Sequence, residues 1–187
     1  MRAHIDARRH TTLWVAVFAA LLALTGCHVK QPYEPTPPSE ATQALHELQG
    51  LPSLEDTTAQ VQGAMDEITA AASTLLPSIT WQTPHEGSTG NCERPYEQTD
   101  GQRYFLPHRV AENVALSEET WAAILKVAKD SAAKIGATDV AVMKDQPGNH
   151  DVWFTGPTGI SIKVGYAGNL GVAGYTGCRL PRDKKTG

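Results

Sequence analysis

Three cysteines carry the most reactive side chains of this 187-residue sequence, and they lie in different surroundings. Cys27 directly follows an uncharged, largely apolar stretch, whereas Cys92 and Cys178 lie far along the chain among polar and glycine-rich segments. A thiol can be alkylated, oxidised to a disulfide or used as a nucleophile, and its surroundings decide among these fates. We therefore expect Cys27 to serve a different purpose from the other two cysteines.

The segment that precedes Cys27 has the pattern of an export signal. Arg2, Arg8 and Arg9 come before "LWVAVFAALLAL", a run of twelve residues without a charge. Basic residues followed by an apolar stretch of about 7–15 residues are typical of a signal peptide. A helix that spans a bilayer needs about 20 apolar residues. We therefore predict that residues 1–26 are a signal peptide.

The end of this segment, Leu24-Thr25-Gly26-Cys27, resembles the lipobox of bacterial lipoprotein precursors. Small residues allow the chain to enter a peptidase cleft, and the thiol accepts a diacylglyceryl group as a thioether. The resemblance implies cleavage after Gly26 and lipid attachment at Cys27, with the protein held at the extracytoplasmic face of the cell membrane. Two or three acyl chains anchor stably, at about 0.8 kcal/mol per buried CH₂. The alternatives are an uncleaved signal anchor or a free Cys27.

A proline-rich segment follows the lipobox. Residues 28–39, "HVKQPYEPTPPS", contain four prolines. Such linkers adopt extended polyproline II at roughly 3.1 Å per residue, which gives a reach on the order of 35 Å. We predict that residues 27–39 form a lipid-anchored tether, although an ordinary disordered terminus would behave almost identically.

Composition excludes several classes of protein. Apolar residues make up 41% and charged residues 19%, which fits a chain with an ordinary core. The net charge of −4 argues against a general nucleic-acid binder, which needs a basic patch. Residues 31–100 hold eleven acids and one base, whereas residues 101–187 hold eight acids and eleven bases. A solvated acidic helical surface explains this asymmetry more simply than an electrostatic binding site.

The apolar patterning predicts an acidic helical segment over residues 40–77 and an α+β domain over residues 78–187. A helix opens at Ser53, and its apolar positions recur at helical spacing: Val61, Met65, Ile68, Ala72 and Leu75. A second amphipathic helix opens at Ser117. Short strand-like segments separated by turn sequences such as "QPGN" and "GPTG" must run antiparallel. The predicted fold class is therefore α+β, with an antiparallel meander sheet packed against one or two helices.

Once Cys27 is modified, Cys92 and Cys178 allow a single intramolecular disulfide. An exported protein occupies a compartment in which disulfides persist. A bond that closes a loop of this length would stabilise the fold by roughly 4–5 kcal/mol in the chain-entropy model. The alternative is a thiol nucleophile or redox role, although the sequence has no C-x-x-C motif and no histidine next to either cysteine.

Other candidates for chemistry are weaker. The sequence lacks G-x-S-x-G, H-E-x-x-H and P-loop motifs, so we predict no catalytic residue, metal site or cofactor. Tyr104 and His108 are the candidates for lining a pocket. His150 and Asp151 adjoin a turn that also contains Asp145 and could bind a cation, although a solvated hairpin turn is the favoured interpretation. Three aromatic residues are expected mostly in the core: Trp81, Trp153 and Phe154.

Several segments support a family resemblance. They are a tryptophan before a loop with "GNC", then "RYFLPHRV", "KVAKDSAAKIGAT", "DQPGNHDVWFTGPTGISI" and the terminal "YTGCRL". On these segments, the region from about Trp81 to Pro181 resembles the LppA/LppV-type lipoproteins of mycobacteria. The resemblance implies a cell-envelope lipoprotein and does not imply any particular activity. It also implies that Cys92 and Cys178 occupy the two cysteine positions typical of such domains, which supports their pairing.

Two functional hypotheses follow from the sequence. In the first, the protein is an exported, lipid-anchored binding or accessory protein of the envelope, with an envelope protein as a possible partner and no nucleic acid. In the second, it is an envelope enzyme or small-ligand carrier with a pocket between the sheet and the helices. A deep pocket with converging polar groups would favour the second hypothesis. The sequence leaves open whether the acidic helices pack on the sheet.

Overall fold

The computed structural model describes residues 34–186 of the chain. The predicted signal peptide, the lipobox with Cys27, and residues 27–33 of the tether lie outside the described residues. Thr36, near the end of the predicted tether, is buried, and its backbone N–H donates to Glu97 Oε1 at 2.9 Å. No helix within residues 34–186 is long and apolar enough to cross a membrane.

Three α-helices form in this region: α1 at Pro38–Gly50, α2 at Leu54–Leu75 and α3 at Glu118–Lys134. The side chains of Ser53 and Ser117 accept hydrogen bonds from backbone N–H groups in the first turns of α2 and α3. Acidic residues follow each serine, where the helix dipole favours negative charge. Both predicted helix starts are therefore confirmed.

The strands form one antiparallel sheet. In chain order they are β1 Trp81–Gln82, β2 Ser88–Asn91, β3 Gln102–Phe105, β4 Arg109–Ala111, β5 Asp139–Gln146, β6 Asn149–Thr155, β7 Ile160–Tyr166 and β8 Leu170–Thr176. Strands β5 to β8 are a meander, and the sheet order is β1-β4-β8-β7-β6-β5, with β3 pairing both β2 and β8. The α+β class and the antiparallel meander are as predicted.

The two faces of the central strands have different surroundings. Alternate residues of β6, β7 and β8 are buried against α2 and α3 and form the main core. Among the largest buried side chains of this core are Met65, Ile68, Ile124, Phe154, Ile162 and Leu170. The intervening residues point to the opposite side, which we call the open face.

Helix α2 packs directly on β8, so the acidic helical segment is part of the same compact unit as the sheet. The contact is closest at Gly174. A Cβ atom placed on Gly174 would lie 2.5 Å from Val61 Cγ1 and 2.7 Å from Met65 Sδ. The absence of a side chain at this position therefore sets how near the helix approaches the strand.

We expect Gly174→Ala to lower the free energy of unfolding by about 1–3 kcal/mol, because the added methyl group overpacks the interface between α2 and β8. Gly171→Ala is the matched control in the same strand, since the Gly165 carbonyl oxygen would be the atom nearest to the new Cβ, at 3.9 Å. Urea denaturation of both variants measures the difference. Equal effects of the two substitutions would contradict the close packing.

A second apolar cluster forms around the disulfide bond between Cys92 and Cys178. The two Cα atoms are 5.5 Å apart, and 86 residues separate the cysteines in sequence. Both cysteines are buried together with Leu48 of α1 and Leu180. The bond joins the loop after β2 to the segment after β8, and it is the predicted pairing of Cys92 with Cys178.

The double variant Cys92→Ala/Cys178→Ala should lose about 4 kcal/mol of stability, because its unfolded chain regains the entropy that the closed loop removes. Guanidinium denaturation of the oxidised chain, with and without reductant, provides the comparison. Reductant should shift the midpoint of the wild type and leave the double variant unaffected. An unchanged wild-type midpoint would show that the bond adds no stability.

Candidate functional site

A row of aromatic and basic side chains crosses the open face. Trp153 of β6 pairs with Lys163 of β7, and Phe105 of β3 pairs with Tyr175 of β8. Directly opposed residues in antiparallel strands point to the same side of the sheet, so the four side chains share the open face. We call Phe105, Trp153, Lys163 and Tyr175 the aromatic row.

The members of the aromatic row contact one another. Lys163 Nζ lies 3.5 Å from the Trp153 ring centroid and 4.7 Å from that of Tyr175, within the range of cation–π attraction. The Phe105 and Tyr175 rings meet edge to face, with centroids 5.2 Å apart. The Trp153 indole N–H donates to Asp151 Oδ1 at 2.6 Å. These contacts hold the row in a defined arrangement.

The electrostatics of the row leave Lys163 without a paired anion. Burial lowers the pKa of Lys163, and the Asp151 carboxylate opposes this shift. Burial also raises the pKa of Tyr175. Among the ion pairs of residues 34–186, none includes Lys163. The lysine is therefore a cation that has lost part of its hydration and contacts two rings, while the Asp151 carboxylate acts on it from beyond ion-pair distance.

A cavity of about 510 Å³ adjoins the aromatic row. It lies between the row, the loop that follows Cys92 and the short 3₁₀ turn Pro157–Gly159. Arg94, Arg103 and Lys163 line it, together with the rings of Phe105 and Tyr175. Its volume falls in the range of small-molecule sites, roughly 300–1,000 Å³.

Comparison with known proteins identifies the family. A family model for LppA, described as a lipoprotein confined to pathogenic Mycobacterium, matches residues 29–182. The chain belongs to the LppA family. Membership of a lipoprotein family implies that the protein is associated with the cell envelope. No curated protein matches the chain in sequence.

Two solved structures share the LppA fold with this chain. LppA from Mycobacterium tuberculosis superimposes with a TM-score of 0.62 at 15% identity, covering 78% of this chain and 89% of that one. A DUF4853 family protein from Actinomyces odontolyticus gives a TM-score of 0.53 at 16% identity and covers 72% of each chain. At these identities the likeness shows the fold alone.

The two predicted pocket residues line different cavities of this LppA family member. Tyr104 lines the larger cavity and packs against the main core. His108 lines a neighbouring cavity of about 320 Å³ with Phe105 and Tyr175. Burial, followed by the charges of His85 and Lys163, lowers the pKa of His108. Both cavities lie beside the aromatic row, whereas buried side chains fill the space between the sheet and helices α2 and α3.

Sequence reasoning missed the position of Trp153, which was expected in the core. Phe154 is buried in the core as expected, and Trp81 packs at the core edge with its indole N–H bonded to Ser73 Oγ at 3.0 Å. Trp153 lies half-buried on the open face instead. The signal was present in "HDVWFTG": because Val152 and Phe154 point inward, strand alternation points Trp153 outward.

His150 also differs from the solvated turn that the sequence favoured. It is 3% exposed and stacks on Trp121, with ring centroids 4.6 Å apart. Its Nε2 lies 3.1 Å from Glu118 Oε2, and its Nδ1 lies 3.2 Å from Asp145 Oδ1. Hydrogen bonds from the Gly148 N–H and from His150 lower the pKa of Glu118.

These contacts connect the start of α3 to the β5–β6 hairpin and occupy both ring nitrogens of His150. Residues 34–186 contain no group of three or more His, Cys, Asp or Glu side chains arranged to hold a metal ion. The stacking of His150 on Trp121 and its contacts with Glu118 and Asp145 support a structural role.

We expect His150→Ala to lower the free energy of unfolding by about 2–4 kcal/mol, since it leaves a cavity beneath Trp121 and removes the part-buried polar contacts with Glu118 and Asp145. His85→Ala, at an exposed loop position, is the control and should change stability by less than about 0.5 kcal/mol. Thermal unfolding of both variants gives the comparison. A His150→Ala variant as stable as the control would show that the contacts contribute nothing.

Proposed function

We propose that this LppA family member is an exported lipoprotein, anchored to the cell membrane through a lipid on Cys27, that acts by binding a ligand or partner at the aromatic row. The family match and the lipobox Leu24-Thr25-Gly26-Cys27 support the anchored state. Two or three acyl chains on one cysteine suffice for stable attachment. In this proposal the domain stays at the extracytoplasmic surface, where the open face can meet envelope components.

The aromatic row is the observation that carries the binding role. Tryptophan and tyrosine are enriched among the residues that dominate the binding energy of protein interfaces. Here they are half-buried on the sheet face opposite α2 and α3, beside two cavities. Lys163 and Tyr175 lie on β7 and β8, each paired with neighbouring strands on both sides. A site on such rigid elements holds its side chains in position for a ligand.

The alternative of an enzyme or carrier with a pocket between the sheet and the helices has less support. Met65, Ile68 and Phe154 are among the side chains that fill this space. The cavities described beside the row could still hold a small ligand, and a carrier role would then use the open face. A binding protein and a small-ligand carrier would therefore both use the open face.

Photo-cross-linking of the full chain in living mycobacterial cells tests the proposal. A photoreactive amino acid replaces Ala173, which pairs with Lys163 on the open face. The control replaces Lys129, which is exposed on α3. We expect a discrete adduct at position 173 and none at position 129, because the proposed ligand contacts only the open face. Mass spectrometry of the membrane fraction reads the adduct and the peptide that begins at Cys27.

Each readout addresses a separate part of the proposal. An unmodified Cys27 in a soluble fraction would overturn the anchored state. The same adducts at positions 173 and 129, or no adduct at position 173, would overturn binding at the open face. The mass of a discrete adduct distinguishes a small molecule, a lipid and a protein.

A further inference from the structure

The 510 Å³ cavity concentrates positive charge in a chain whose net charge is −4. Arg94, Arg103 and Lys163 line it, and Glu93 is the single carboxylate among the residues described as lining it. Glu93 forms an ion pair with Arg103 at 2.8 Å, but its side chain is 77% exposed. An exposed carboxylate is well hydrated and screened, so it neutralises the cavity only weakly.

Arg103 retains an unused donor inside the structure. Its Nη1 bonds to Glu93, whereas its buried Nε has no hydrogen-bond partner within residues 34–186. The guanidinium carbon lies 5.3 Å from the centroid of the Phe105 ring, which holds the side chain against the aromatic row. A buried donor without a partner costs free energy.

A further cation lies behind the cavity wall. Arg179 is 4% exposed, and its guanidinium donates to Thr57 Oγ1 at 3.1 Å, to the Cys178 carbonyl at 2.7 Å and to the Thr158 hydroxyl. Burial lowers the pKa of Arg179. Its hydrogen bonds go to neutral oxygens, including Thr158 and Cys178, which line the cavity, while the Glu47 carboxylate balances part of its charge.

The remaining lining groups suit a polar ring. The Ser161 hydroxyl lies on β7 two residues before Lys163, on the same side of the sheet, and both residues line the cavity. The rings of Phe105 and Tyr175 form an aromatic wall. The cavity therefore combines three kinds of group. Its hydroxyls can hydrogen-bond, its cations can pair with an anion, and its rings can contact a flat apolar surface.

We propose that this cavity binds a sugar or cyclic polyol that carries a phosphate or carboxylate group, with Arg94, Arg103 and Lys163 holding the anion and the aromatic rings contacting the polyol ring. The inference rests on the proposed function, because it assigns a ligand class to the same face. The anionic polyol is either the headgroup of a membrane lipid or a soluble molecule, and both sources present the same chemistry.

Isothermal titration calorimetry on the detergent-solubilised full chain tests the ligand class. The probes are myo-inositol 1-phosphate and glucuronate, with myo-inositol and glucose as neutral controls. We expect at least one anionic probe to bind saturably and both neutral controls to bind at least tenfold more weakly. Equal binding of the charged and neutral probes, or no binding of either anionic probe, would overturn the proposal.

Matched variants locate the binding. Lys163→Met removes the charge and retains the apolar stem, and Arg94→Gln changes an exposed residue of the cavity rim. Each should weaken binding of the anionic probe about tenfold, as expected for a lost charge-assisted hydrogen bond. Lys144→Met removes an exposed lysine from β5, outside the cavity, and should leave affinity unchanged. Unchanged affinity in the Arg94→Gln and Lys163→Met variants would place the ligand elsewhere and overturn the assignment.

A third titration separates the two sources. Dihexanoyl-phosphatidylinositol, used below its micelle concentration, presents the inositol phosphate headgroup on a lipid. Binding at least tenfold tighter than the free phosphate, and weakened by Lys163→Met, supports a lipid headgroup. Equal or weaker binding supports a soluble ligand. If these titrations fail while the adduct at position 173 persists in cells, the open face binds a ligand of another class and the proposed function stands.

Discussion

The packing of α2 against β8 is the constraint on which the rest of the structure depends. Gly174 allows Val61 and Met65 to approach the strand, so one side of the sheet is occupied by helix. Because successive residues of a strand alternate in direction, the residues between the buried positions must face the other side. The aromatic row is thus a consequence of the same register that builds the core.

The disulfide extends this arrangement to the cavity. It fixes the loop that contains Glu93 and Arg94 to the segment after β8, beside the aromatic row. Helix α1 supports the same loop, since Tyr96 donates its hydroxyl hydrogen to Glu47 Oε2 at 2.8 Å. Burial and the hydrogen bond to Glu47 raise the pKa of Tyr96 to about 12. Helix α1 and the disulfide therefore shape one wall of the site without contributing its cations.

Local signals predicted much of the fold, whereas the site depends on long-range contacts. Ser53 and Ser117 start helices through contacts within four residues, and turn sequences joined neighbouring strands into a meander. To predict the position of Trp153, one must know which side of β6 the helices cover. The pairing of β3 with β8 and the disulfide join segments that are distant in sequence. These long-range contacts bring Arg94, Arg103 and Lys163 together. No short motif encodes such a cluster.

Partly buried cations without paired carboxylates cost free energy, and this cost supports a functional interpretation of the cation cluster. On the helical side, the exposed Lys134 pairs with the carboxylate of Glu67 at 2.8 Å. Lys163 contacts rings instead, Arg103 has an unpaired buried Nε, and Arg179 bonds only neutral oxygens. Unpaired charges and donors that cluster at one place in a well-packed domain are typical of binding sites, because the ligand supplies the missing partners. The same argument distinguishes the cavity, as a candidate ligand site, from the surroundings of His150, whose ring nitrogens already have partners.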